Sequence, residues 1–378
     1  MKLTFSKPNK MQCKLLYKNR LVENIYIACT CCYDKTKPID YMAKKEYIEK
    51  RVKAGHDSIL EHGRLSILFT DVPASMSEQL INFMGLEHSR WLEFYTVQME
   101  NGEYNVIVNS TIRGYKHFLN NLSEDEYDTN ELIKGVCNVL QENSVKELYG
   151  VNKYIEYLSF VDAEPEITDM EDTISDQMNY PVVKSKALKM KTSKPDEKAK
   201  MVTVGFDDNP LIDNFIELEN QLIVLGFSLD IIPKLIPVMV GFFNMSRTAT
   251  HQLVRHRNAI TQESQRYVSA ENATFTVPVP NYDGKEYQVN LFGTEVSINL
   301  TELANELIKV YKQLADQGLK KEEARAFLPS NVNCGRLYMT YTMESLFKFI
   351  ELRTDEHAQY EIRMYAEAIK EIIEKYTE

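Results

Sequence analysis

Arg255, His256 and Arg257 are consecutive, and Ser264 and Arg266 follow a short distance along the chain. A guanidinium offers a planar fork of donors that matches two phosphate oxygens, while hydroxyl and imidazole groups add single bonds to the oxygens that remain. Adjacent cationic residues at a helix end point in different directions, so this cluster can hold two anionic groups. A nucleotide beside a second phosphorylated ligand fits such a site. The same charges also suit a helix C-terminus, where the macrodipole favours cations. The tripeptide alone leaves both readings open.

The elements that must position these residues can be read from periodicity. A helical segment begins near Ser246 and ends at the tripeptide, after the strand-like run Pro237 to Phe243. Asn258 to Tyr267 is a donor-rich loop. Thr274 to Val279 and Tyr287 to Leu300 alternate as strands do, with a turn at Asn281 to Gly284. Ile362, Tyr365, Ala366, Ile369, Ile372, Ile373 and Tyr376 recur at helical spacing, leaving Glu361, Arg363, Glu367 and Lys370 on the polar face. The class is α+β.

An internal repeat organises the chain. Pro73 to Ile81 aligns with Ser246 to Val254, each after a strand-like run, and Thr111 to Leu119 aligns with Thr342 to Ile350 in the same order. Asp162 to Lys200 is acidic and then lysine-rich, as solvated connectors are. The expectation is two tandem repeats, each a mixed sheet packed with helices, over 1–160 and 201–378, joined by a charged linker at 161–200.

A net charge of −11 over 378 residues argues against broad binding of nucleic acid, so any anion must be held locally. No apolar run reaches the roughly 20 residues that span a bilayer, and Met1 to Met11 has no secretory core. A cytoplasmic protein with no membrane partner is expected. The six cysteines form no paired zinc pattern and are read as reduced thiols, and no metal is expected. Neither a GxGxxG nor a GxxxxGK[ST] loop occurs, which excludes the usual dinucleotide and P-loop sites.

In Thr250 to Arg257, Ser264 to Val268, Arg325 to Pro329 and Phe349 to Arg363, the sequence resembles the flavin-dependent thymidylate synthases. Their signature is an Arg-His-Arg tripeptide, a spacer, Ser, then Arg-Tyr. In the first half, Gly55 to His62 and Thr111 to Leu119 look like the segment before the family's first central strand and its flavin-contacting helix start. The resemblance implies reductive methylation of dUMP to dTMP, with FAD as cofactor and with NADPH and methylenetetrahydrofolate as co-substrates. It implies that Gln252, Arg255, Ser264, Arg266, Arg325 and Arg353 bind dUMP, with Arg353 near the pyrimidine ring and Arg353 and Ser264 as the catalytic pair. His62, Thr111, Arg113, His117, His256, Arg257, Gln262 and His357 would bind the flavin, although His357 also reads as a structural histidine at a helix start. No cysteine nucleophile is required; Cys334 matches no catalytic position of the family.

The halves have diverged in different places. Asn82, Phe83 and Met84 stand opposite Arg255, His256 and Arg257, whereas Leu235, Glu344 and Lys348 stand opposite His62, Arg113 and His117. Since the family is a homotetramer with flavin sites between subunits, the expectation is a homodimer forming a pseudo-tetramer. Its composite sites would join Arg113 and His117 of one half to Arg255 through Arg266 of another. The spacer Asn258 to Glu263 is one residue shorter than the family's. A related transfer giving hydroxymethyl-dUMP, or a nucleotide-binding homologue without catalysis, would need nearly the same residues.

Overall fold

Arg64–Val72 (β2) carries Leu65, Ile67, Leu68, Phe69 and Val72 fully buried, the near-continuous apolar run of a strand covered on both faces. The computed structural model that shows this describes residues 12–18, 21–31, 40–75, 92–121, 135–136, 139–140, 202–205, 211–266, 270 and 286–377. In the first unit β2 lies between Gln12–Lys18 (β1) and Tyr104–Thr111 (β4), and Leu92–Gln98 (β3) pairs with the far side of β4, all antiparallel. Leu21–Cys31 (α1), Tyr41–Lys53 (α2) and a 3-10 turn, Asp57–His62, intervene between β1 and β2.

Two polar side chains buried inside this sheet satisfy each other. Ser66 and Asn109 face each other in register, and the Ser66 hydroxyl donates to Asn109 Oδ1 at 3.2 Å. Ile112–Asn121 (α3) leaves the end of β4, and its buried Tyr115 donates from one hydroxyl to Leu65 O at 3.3 Å and Val108 O at 3.1 Å. That double anchor fixes the start of α3 over both central strands.

The second sheet has the order Val202–Gly205 (β5), Pro237–Phe243 (β6), Arg336–Thr342 (β10), Ala259–Gln262 (β7). Read along the chain, this is the first sheet's order: first, second, fourth, third strand. Thr111 ends β4 and accepts the Gly114 amide on its Oγ1 at 3.1 Å; Thr342 ends β10 and accepts the Ser345 amide at 3.2 Å. Both threonines cap the helix that follows, α3 and Met343–Thr354 (α7) respectively.

Leu211–Val224 (α4) and the segment that continues to Pro237 cluster with the first unit, and Thr30, Cys31 and Val202–Gly205 with the second. Asn105 and Asn109 of β4 hold part of that segment, donating to Leu225 O at 2.9 Å and Lys234 O at 3.1 Å. The expected linker at 161–200, the first-half segment from Met76 through Met84, and the expected strand and turn at 274–284 lie outside the described residues.

Between β7 and β10 the second unit carries a hairpin, Glu286–Leu291 (β8) and Thr294–Asn299 (β9), followed by Leu300–Asp316 (α6). The expected single strand at Tyr287 to Leu300 is therefore two strands. Phe292 and Gly293 turn the chain with φ of 53° and 84°, the left-handed pair that a two-residue hairpin loop requires. Tyr360–Thr377 (α8) buries Ile362, Tyr365, Ala366, Ile369 and Ile372 as its spacing predicts. Glu361, expected on the polar face, is instead buried. It accepts from the Ser246 amide at 2.7 Å and hydroxyl at 2.5 Å, and these bonds offset the cost of removing a carboxylate from water.

Candidate active site

Ser246 also caps Arg247–Leu253 (α5), accepting the Ala249 amide on its hydroxyl at 3.2 Å. A capped helix with one end tied to Glu361 holds a fixed direction. A 3-10 turn, Val254–His256, tightens the other end, and Arg257 closes it in the left-handed conformation, φ 55° and ψ 29°. Such a conformation is unfavourable for any residue with a Cβ, so the turn is held by what surrounds it. As a result the three residues diverge. Arg255 and Arg257 are exposed and form no ion pair within the described residues, whereas His256 turns inward.

The His256 ring stands edge-on to Phe349 with centroids 5.0 Å apart, and its Nε2 accepts from Arg353 Nε at 3.1 Å. That bond requires Nε2 to carry the lone pair, so the ring proton sits on Nδ1. Burial, and then the neighbouring Arg353, lower the His256 pKa below that of a free imidazole. His256 is therefore a neutral acceptor that orients the fork of Arg353.

The spacer after Arg257 is not the expected loop. Asn258 Nδ2 donates to His256 O at 3.1 Å and its Oδ1 accepts from Ser345 Oγ at 3.1 Å; β7 then pairs with β10 from Ala259↔Thr340 to Gln262↔Leu337. Strand pairing occupies the segment because Ala259 and Thr261 face inward and are buried while Ile260 and Gln262 alternate with them. Gln262, expected at the flavin, is half-buried on this strand.

Beyond β7, Ser264 Oγ accepts the Arg266 amide at 3.3 Å. The Arg266 guanidinium pairs with the Glu322 carboxylate at 3.1 Å, and Arg325 Nε donates to Glu322 O at 3.2 Å. Two expected nucleotide ligands thus meet at Glu322, a residue the motif reading passed over. Its signal was present: Glu322 precedes Arg325 by one helical turn, where side chains share a face. Gln252 is hydrogen-bonded through its amide to Gln359. His357 lies in the turn between α7 and α8, is 84% exposed, and approaches Asp355 at 2.9 Å, so it is not a packed helix-start residue.

The first unit gathers His62, Thr111, Arg113 and His117 where the 3-10 turn meets α3. Arg113 pairs with the buried Glu61 at 2.5 Å, and its Nε points at His117 Nε2 at 3.5 Å. Lys116 pairs with Asp57 at 2.8 Å. Desolvation pushes the wholly buried His62 down to about 3, and burial followed by Arg113 lowers His117. Both imidazoles are neutral, so the cationic donors here are Arg113 and Lys116, each already matched by a carboxylate. At the aligned positions of α7, Glu344 and Lys348 pair with each other at 3.1 Å, and Leu235 is buried.

The model of the family described as thymidylate synthase complementing protein matches residues 14–201 and 236–377. The chain belongs to that family. A flavin-dependent thymidylate synthase of Pyrococcus abyssi is 34% identical over 158 residues, covering 41% of this chain and 62% of that protein. One from Aquifex aeolicus is 38% identical over 132 residues, 32% of this chain and 41% of its own length, and one from Wolbachia pipientis is 34% identical over 136 residues, 33% and 47%. The chain thus spans about half the length of these family members. Within the described residues no helix is long and apolar enough to cross a membrane, and no cluster of His, Cys, Asp and Glu is arranged for a metal ion.

Proposed function

We propose that this family member carries out the flavin-dependent reductive methylation of dUMP to dTMP, with methylenetetrahydrofolate and NADPH as co-substrates. The observation that carries the reading is the divergence of the tripeptide: two guanidinium groups with no ion pair among the described residues point outward while neutral His256 holds Arg353. In this reading Gln252, Arg255, Ser264, Arg266 and Arg325 bind the nucleotide, and Arg266 and Arg325 approach its phosphate from either side of Glu322. Arg353 faces the pyrimidine carbonyls and stabilises negative charge as it develops on the ring, with no thiolate needed. Ser264 holds the substrate in register beside it.

The donor chemistry also suits FAD, whose pyrophosphate needs exposed cations, as Arg257 supplies, and helix-start donors, as Thr111 and Arg113 supply. His62, His117, His256, Gln262 and His357 complete that set. When bound, the flavin provides the hydride. Arg113 meets the pyrophosphate by exchanging its bond to Glu61.

The matching strand orders and the paired caps Thr111 and Thr342 support descent of the halves from one tandem duplication. Because the first half keeps Arg113 and His117 and the second keeps Arg255 to Arg257, two copies are expected to form a pseudo-tetramer. It would carry one flavin per chain, in the cytoplasm with its soluble substrates. Titration of the apoprotein with FAD tests this: saturation at one flavin per chain supports it, and two per chain or none contradicts it.

A further inference from the structure

Glu263 sits in a space made for it. An ideal Cβ on Gly335 would collide with the Glu263 carboxylate, and Gly335 has a φ of +62°, so glycine both permits the backbone turn and leaves room for that side chain. Oε2 of the same carboxylate is 3.6 Å from Arg336 Nε, and the Glu263 amide donates to Arg336 O at 2.8 Å. On the other side of Ser264, Gln265 Oε1 accepts from Arg247 Nη1 at 3.0 Å. Arg247 forms no ion pair within the described residues, and its own amide is tied to Val332 O at 3.1 Å. Ser264 lies between these two fastenings, at the end of the spacer that is one residue short of the family pattern.

We propose that Glu263 seated on Gly335, together with Gln265 held by Arg247, clamps Ser264 and thereby sets the protein's affinity for the phosphate of its nucleotide. These are positioning residues, and the inference rests on the nucleotide site proposed above. The physical reason is geometric. A shorter spacer moves its far end, and an ångström at a binding group is enough to cost up to about a hundredfold. Clamping the residues on both sides of Ser264 restores a defined position without adding a contact to the ligand. Neither Arg247 nor Glu263 stands out in the sequence, because their partners are distant along the chain.

The full-length flavoprotein is titrated with dUMP and, in competition, with deoxyuridine, which lacks the phosphate. Gly335→Ala, Arg247→Gln and Glu263→Gln are compared with wild type, with thermal midpoint and flavin content measured for each. The clamp predicts dUMP binding weakened by about tenfold in Gly335→Ala and Arg247→Gln, and by less in Glu263→Gln, which keeps the shape, while deoxyuridine binding is unchanged. If Gly335→Ala does not fold, Arg247→Gln and Gln265→Ala decide. Folded variants with wild-type dUMP affinity, or with dUMP and deoxyuridine weakened equally, overturn the clamp alone. A wild-type protein that binds no dUMP overturns the nucleotide site and the clamp together.

Discussion

Arg353 Nε donates to His256 Nε2 across 3.1 Å, joining two residues that lie 97 positions apart in the sequence. The bond exists only while His256 is neutral, and burial together with Arg353 keeps its pKa below the ordinary imidazole value. Protonation removes the acceptor and sets two cations against each other. The rate profile for dUMP should therefore be flat through neutral pH and fall only on the acid side, with a midpoint below about 6.5. A midpoint above that value would contradict a neutral His256.

Arg353 should not be replaceable by lysine. A point charge on a flexible stem cannot reproduce a fork that His256 holds on one nitrogen, leaving the others for the ring proposed above. Arg353→Ala and Arg353→Lys are both expected to lower kcat by about a hundredfold or more, as loss of a preorganised electrostatic group does. Steady-state kinetics and dUMP binding measured side by side check this, with kcat expected to fall more than affinity.

His62 makes a prediction about stability. Its folded pKa is pushed down to about 3 from 6.5 by burial. Between those values the unfolded chain holds a proton that the folded chain does not. Stability is therefore complete above about pH 6.5 and declines as the pH falls toward 3, by up to about 1.4 kcal/mol per pH unit from this residue. In His62→Gln the denaturant midpoint should depend less steeply on pH across that window than in wild type.

The Glu361 carboxylate and Ser246 form a buried pair whose loss strands donors. Glu361→Ala leaves the Ser246 amide and hydroxyl without their acceptors and is expected to cost about 1–3 kcal/mol. Glu361→Gln keeps one acceptor and should cost less. Urea unfolding measures both. Equal losses in the two variants would mean that packing, and not hydrogen bonding, dominates there.

Thr111→Ala and Thr342→Ala should be matched perturbations, each costing about 1 kcal/mol because each removes a helix cap at the end of the corresponding strand. Unfolding curves of the two variants test that equivalence.

Much of this site was legible because its groups are local in sequence. Arg255, His256 and Arg257 share one helix end, and the apolar spacing of α8 marks its buried face directly. What sequence could not reveal were pairings across distance. Glu361 occupied a polar slot in its helix and reads as solvated until Ser246 is known to face it. The Asn258 to Glu263 segment, rich in polar side chains, reads as a loop because its partner strand β10 begins at Arg336, across an intervening hairpin and helix. A second misreading followed from alternation that continues through Phe292 and Gly293, so one strand was expected where the chain reverses. The bonds of Asn105 and Asn109 are hidden in the same way, since each reaches a residue more than a hundred positions away.

Product mass is the test of the proposed methylation. The purified chain, loaded with FAD, is incubated anaerobically with dUMP, NADPH and isotopically labelled methylenetetrahydrofolate, and the nucleotide is weighed. Appearance of labelled dTMP, abolished in Arg353→Ala, is the predicted result. A hydroxymethyl product would retain the site and correct the reaction; unchanged dUMP from a flavin-loaded protein would contradict the account.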